Sequence, residues 1–285
     1  MSKIEVNLVT RGRVSGGNQR EIVSTLRDSY QRFGNKVPYK LDIFVAETES
    51  ILNDFIREEK FRMNININVN EDEDPVCYHD AWYGYPRIMV NEKRLSELTK
   101  IARSGALRHE AAHSVLHGSL EYHIFRISEE CHQIALIKGI DRPTLETAMH
   151  YLSSAIKDCE ATKFLIEYGF IDCQAAFALE WLQPPSEDKI LSLPDITDRQ
   201  ARFIYHVALL KPILFSHPLL ALSKKKKISL ERQVLLGRKI EEFAENLKGP
   251  GQNRLLQIAA MISDNLTQDT HKNVDSALHQ AMGLA

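Results

Sequence analysis

Within residues 106–118, ALRHEAAHSVLHG, two histidines stand four positions apart with a glutamate directly after the first: His109, Glu110 and His113. On a helix, positions i and i+4 lie one above the other on the same face. The two imidazoles can then aim at one point, which is what a zinc ion requires of two neutral nitrogen ligands. Glu110 follows the first of them, so its carboxylate can reach a water on the metal without binding the metal itself. Zinc lowers the pKa of such a water to about 7, and a carboxylate can take its proton as it attacks a carbonyl. The bare H-E-x-x-H pattern is weak by itself. Its surroundings strengthen it: the flanking residues from Ala106 to Leu116 are mostly uncharged, and no proline or glycine interrupts Ala106 to His117. A buried, uncharged helix carrying two histidines and a glutamate needs partners for those polar groups. The plain alternative is an amphipathic helix with solvent-facing histidines.

The segment resembles the active-site helix of the zincin metallopeptidases. Their extended pattern surrounds H-E-x-x-H with uncharged residues and has an apolar residue two after the second histidine, here Val115. The resemblance covers this helix and, more weakly, one later segment. It implies a zinc-dependent metallopeptidase, with His109 and His113 as metal ligands and Glu110 as the catalytic general base. A catalytic zinc takes three protein ligands plus water. His117 extends the series to i+8, but a helix rises about 1.5 Å per residue, so His109 and His117 stand about 12 Å apart along the axis. It reads as a residue of the cleft or a support for a ligand. In the gluzincin group the third ligand is a glutamate from a later helix, and several intracellular members write that segment Glu-x-Glu-Ala-Asp. Asp158-Cys159-Glu160-Ala161-Thr162 is similar, with Asp158 in place of the first glutamate and Thr162 in place of the final acid. The resemblance thus implies Glu160 as third zinc ligand; Glu129, Glu130, His132 and His150 stay open as alternatives. Asp158 could hold a ligand histidine through its other ring nitrogen. For an oxyanion donor, His150, Tyr151, Tyr122 and His123 are all open.

Around this segment the chain has 285 residues, a formal net charge of -2 and 44% hydrophobic content. The near-neutral balance argues against nucleic acid as a partner, because phosphate binding rests on clustered Lys and Arg. The basic run Lys224 to Lys227 reads as a solvated loop. Four cysteines, Cys77, Cys131, Cys159 and Cys173, include no C-x-x-C pair and read as reduced thiols. The first residues lack the layout of a signal peptide. The most apolar run, His206 to Leu222, contains Lys211, Pro212, His217 and Pro218 and falls short of a clean membrane span of ~20 apolar residues. These features give the expectation of a cytoplasmic protein with a peptide or protein substrate and no membrane span.

The elements that must position the motif come in two styles. Strand-like alternation marks Ile4 to Val9, Leu41 to Ala46 and Met63 to Val69, interleaved with helical patterns at Arg20 to Phe33 and Thr48 to Lys60, with a basic loop at 11–17. An aromatic loop, Tyr78 to Tyr85, leads into Arg87 to Asn91, a candidate for the edge strand that lines a zincin cleft. A helix is expected over Glu92 to Arg103, broken at Ser104-Gly105, with Ser104 capping the metal-site helix and Gly118 ending it. Beyond Gly118 helical periodicity dominates: Ile127 to Lys138, Thr144 to Tyr168, Cys173 to Leu182, Asp198 to Leu210, Leu230 to Leu247, Asn253 to Leu266 and one more near the C-terminus. Pro184 to Glu187 is the best linker. The expected fold is α+β: a small N-terminal sheet with helices, zincin-like, followed by a mostly helical C-terminal section. The expected domains are a zincin-like metal-site domain over 1–183 and an all-helical section over 187–285. Within the first, the sheet region is 1–91, the site helix 106–118 and the helical region 119–183. A second reading makes the chain a catalytically inactive zincin-fold binding or regulatory protein with a structural metal. A third has the site helix as a plain core element with no metal.

Overall fold

The computed structural model describes residues 4–64, 76–182, 198–223, 230–245 and 251–285. The chain divides into two compact units, Met1–His123 and Ile124–Ala285. The boundary expected from sequence, at 184–186, lies outside the described residues. The fold class is α+β, with a small mixed sheet in the first unit and helices in the second.

The first unit runs β1 (Glu5–Arg11), α1 (Gly16–Phe33), β2 (Lys40–Ala46), α2 (Glu49–Arg62), β3 (Cys77–Asp80), β4 (Arg87–Asn91), α3 (Glu92–Glu97) and α4 (Lys100–Leu116). The sheet order is β1-β2-β4-β3; β1, β2 and β4 are parallel, and β3 runs antiparallel to β4. Arg87–Asn91 is therefore an interior strand, buried at every position, and among the described residues the edge beside it is β3. The first half of the expected aromatic loop is this edge strand. Of the strand expected at Met63 to Val69, Met63 and Asn64 form a turn, and the rest lies outside the described residues.

Side chains alternate across a strand, and the register sorts them. Phe44 pairs with Met89, and Met89 with Tyr78, on the face covered by α2. There Phe44, Ala46, Leu52 and Met89 form an apolar cluster, with Phe55 of α2 stacked on Phe44 at 3.6 Å. Ile43, Val45, Ile88 and Val90 take the opposite face, with Cys77 and His79 of β3 in register with Val90 and Ile88. α4 packs against β3 and β4. Beside it lies α1, capped by Ser15, whose side chain accepts from Asn18 N. Ile22, Leu26, Tyr30 and Phe33 form its buried stripe at helical spacing.

The site helix begins earlier than expected. Thr99 caps it by accepting from Ala102 N, and the chain breaks at Leu98, not at Ser104-Gly105. Glycine inside a helix costs about 1 kcal/mol, and burial of the flanking Ala102, Ala106 and Leu107 outweighs that.

The second unit is helical: α5 (Glu129–Ile137), α6 (Arg142–Glu167), α7 (Ile171–Trp181), α8 (Arg199–Ser223), α9 (Leu230–Ala244), α10 (Gly251–Asp264) and α11 (Thr270–Ala281). α8 continues past Leu210, where the sequence pattern was expected to stop, and carries Pro212 and Pro218 inside it. By length and composition its Arg199–Leu222 stretch could cross a membrane, at a mean hydropathy of 1.3, yet 61% of that window is buried in the protein. Packing against α6 accounts for its apolar character, and Lys211 places its ammonium over the Trp181 ring at 5.0 Å.

Candidate metal centre

His109, Glu110 and His113 all face inward on α4, buried along with Ala111, Ala112 and Ser114. The helix closes at His117, whose N–H bonds to the His113 carbonyl at 2.7 Å. A side chain at position 118 would collide with the Ser114 carbonyl, so glycine is what fits there. Ser114 donates to the Ala111 carbonyl at 2.7 Å, which leaves the Tyr30 hydroxyl of α1 to donate to Ser114 Oγ, also at 2.7 Å. Burial pushes the Tyr30 phenol well above its usual pKa, so it keeps the proton this bond needs.

The two motif imidazoles converge. His109 Nε2 and His113 Nε2 are 3.0 Å apart, with ring planes at 85°. Two nitrogens each about 2.05 Å from a tetrahedral ion would stand about 3.3 Å apart. The pair therefore fits a shared zinc with a shift of a few tenths of an ångström. On its other side His113 Nδ1 meets His117 Nδ1 at 3.0 Å. His117 thus touches the middle histidine of the series and supports it from behind.

A fourth imidazole enters from the edge strand. His79 stacks on His113 with centroids 4.1 Å apart and planes within 9° of parallel. Its Nδ1 lies 3.2 Å from Glu110 Oε2. Ligand atoms of His79, Glu110 and His113 all fall within 4.8 Å of one another. An imidazole binds metal in its own ring plane, along a nitrogen lone pair. Stacked, parallel rings offer no common in-plane point, so His79 and His113 do not converge as His109 and His113 do. His123 is also near, 5.7 Å from His79 between ring centroids, and Tyr122 is 5.4 Å from His117. Cys77, on the same face of β3, has its thiol pKa driven well above the usual value by burial, with the Glu110 charge adding to it.

The opposite face of the β3–β4 hairpin holds a second buried polar group. Arg87 donates through Nε and Nη2 to both oxygens of Asp80, each at 2.7 Å, and through Nη1 to Glu59 of α2 at 2.7 Å. Tyr83 and Arg62 each bond Glu59 at 2.9 Å. Burial raises the Asp80 carboxyl above its usual range despite these bonds. For Glu59 burial also pushes upward, but the bonds from Arg87 and Tyr83 prevail and hold it below the usual carboxylate value.

The remaining residues expected at the site belong to the second unit. Glu160, on α6, accepts from Thr270 Oγ1 at 2.8 Å and from Asn273 Nδ2 at 2.6 Å. Both partners lie on the first turn of α11, where a carboxylate is favoured by the helix dipole. Glu129 and Glu130 are exposed at the start of α5, where Glu129 accepts from Gln133, and His150 is exposed on α6. His132 and Tyr151 are partly buried in the same unit. Of the expected oxyanion donors, Tyr122 and His123 are in the unit that holds the histidine pair.

His79 is the residue that sequence reasoning passed over. Pairing with β4 turns His79 to the side of Cys77 and away from Tyr78 and Asp80, and a strand of four residues is too short for its alternation to mark this in the sequence. No family model matches the chain, and no curated protein or solved structure is similar to it.

Proposed function

We propose that this chain is a zinc-dependent metallopeptidase, with His109 and His113 as metal ligands and Glu110 as general base. One observation carries the proposal: two buried imidazole nitrogens 3.0 Å apart on crossed ring planes, with a buried carboxylate on the next residue. Zinc held there would lower the pKa of a water to about 7 and polarise a carbonyl. The chain's own residues supply the rest. His113, with its proton on Nδ1 toward His117, presents the Nε2 lone pair. Glu110 accepts a proton from the attacking water and passes it to the leaving amine. The third ligand in the proposal is Glu160, supported by the Asp158-Cys159-Glu160-Ala161 segment alone; binding would require it to exchange its bonds to Thr270 and Asn273.

The test is metal analysis of the purified chain together with hydrolysis of a quenched fluorescent peptide pool. One zinc per chain is expected, lost in His109→Ala. Glu110→Gln should keep the zinc and cut turnover by roughly 10²–10⁴-fold. A chain without zinc, or a Glu110→Gln variant as active as the parent, refutes the proposal. Full zinc retention by Glu160→Gln would remove Glu160 from the ligand set without touching the histidine pair.

A further inference from the structure

We infer that His79 is a positioning residue for Glu110, holding its carboxylate from the edge strand with Nδ1 while its ring lies flat on His113. The inference rests on the proposed zinc site and adds a residue that the site's own helix does not supply.

Three observations support it. First, the two groups stand at ion-pair distance: His79 Nδ1 is 3.2 Å from Glu110 Oε2, and both side chains are largely shielded from solvent. A carboxylate has two oxygens, so fixing one fixes the plane in which the other accepts a proton. Second, ring orientation separates the roles. His109 and His113 cross at 85° and can share an ion, whereas His79 parallels His113 within 9° and cannot join it in that plane. Third, the backbone that carries His79 is anchored. The next residue, Asp80, is gripped at both oxygens by Arg87 on the other face of the hairpin. A short strand clamped at one position holds its neighbour still, and a reacting group held in place by a supporting contact is preorganised.

The experiment compares wild type, His79→Phe and His79→Asn, all full-length and zinc-loaded. Phenylalanine keeps a flat ring for stacking and loses the donor. Asparagine keeps an amide N–H near the place of Nδ1 and loses the ring. Zinc content and zinc affinity are measured, then kcat and KM on the peptide pool, then the affinity for acetohydroxamate, a zinc-binding probe that also hydrogen-bonds the general base. Zinc affinity should stay within about twofold in both variants. His79→Phe should lose kcat by about 10–100-fold at unchanged KM, and acetohydroxamate should bind about tenfold more weakly. His79→Asn should regain most of both. Equal losses in the two variants would show that an N–H at this place does not restore function and would overturn the inference; a loss in His79→Asn with His79→Phe intact would reduce His79 to packing and overturn it too. A large fall in zinc affinity in His79→Phe would make it a ligand and overturn it as well. Wild-type protein that binds zinc and turns over, with His79→Phe matching it, sinks this inference alone; wild type that takes up no zinc sinks the proposed function too.

Discussion

His113 uses both of its ring nitrogens, and this makes its tautomer a functional variable. In the proposed zinc site Nε2 faces the metal beside His109, which places the proton on Nδ1, 3.0 Å from the His117 nitrogen. Groups that orient a metal-binding histidine in this way typically change metal affinity by about 10–100-fold when removed. His117→Ala is therefore expected to weaken zinc binding by a factor in that range while leaving the helix folded, as competition with a chromogenic chelator would measure. Unchanged affinity would mean that His117 only fills space. At this scale the sequence was informative where chemistry follows local spacing. His109 and His113 share a face because of the helical repeat, and the structure buries both together with Glu110. His79 was not legible because its position beside Glu110 depends on strand pairing between residues far apart in the chain. The bonds from Thr270 and Asn273 to Glu160 were hidden for the same reason, since they join positions more than a hundred residues apart.

Among the elements, the β3–β4 hairpin and α2 share a buried ion cluster. Arg87, Asp80 and Glu59 are buried together, an arrangement in which the loss of one partner leaves the others uncompensated. Glu59 is held below the usual carboxylate pKa. Its contribution is thus fully present above the unfolded value of about 4.3 and is lost as pH falls through the lowered folded value. Glu59→Gln should destabilise by about 2 kcal/mol near neutral pH. That gap from wild type should hold from pH 7 to about 5 and close as acid titrates the carboxylate. Urea melts of both proteins across this range check it, and a gap that widens in acid would contradict the sign. Element types were readable from periodicity; their junctions and neighbours were less so. Thr99 displaced Ser104 as the cap of α4, because a side-chain bond to Ala102 N begins the helix a full turn earlier. The edge position went to β3, a four-residue strand too short for alternation to announce it.

Over the whole molecule, the α+β order of sheet first and helices after followed from the change in hydrophobic period near Gly118. The length of α8 did not: the helical pattern was expected to stop at Leu210, and the helix runs on through Pro212 and Pro218. Tertiary burial overrides them: Leu210, Ile213, Leu214 and Phe215 are all buried. Leu214→Asp should therefore cost more than about 4 kcal/mol through an unpaired buried charge. Thermal melting in detergent-free buffer would show it. A variant as stable as the parent there would mean that this face of α8 is not packed in the protein. The smallest strand of the sheet has a wider consequence. Adjacent residues His79 and Asp80 serve opposite sides, so sliding β3 along β4 by one position would turn the carboxylate toward His113 and the imidazole toward Arg87. Both polar groups would be miswired at once. The turn at 81–86 should consequently be among the least forgiving places in the chain for a one-residue insertion or deletion.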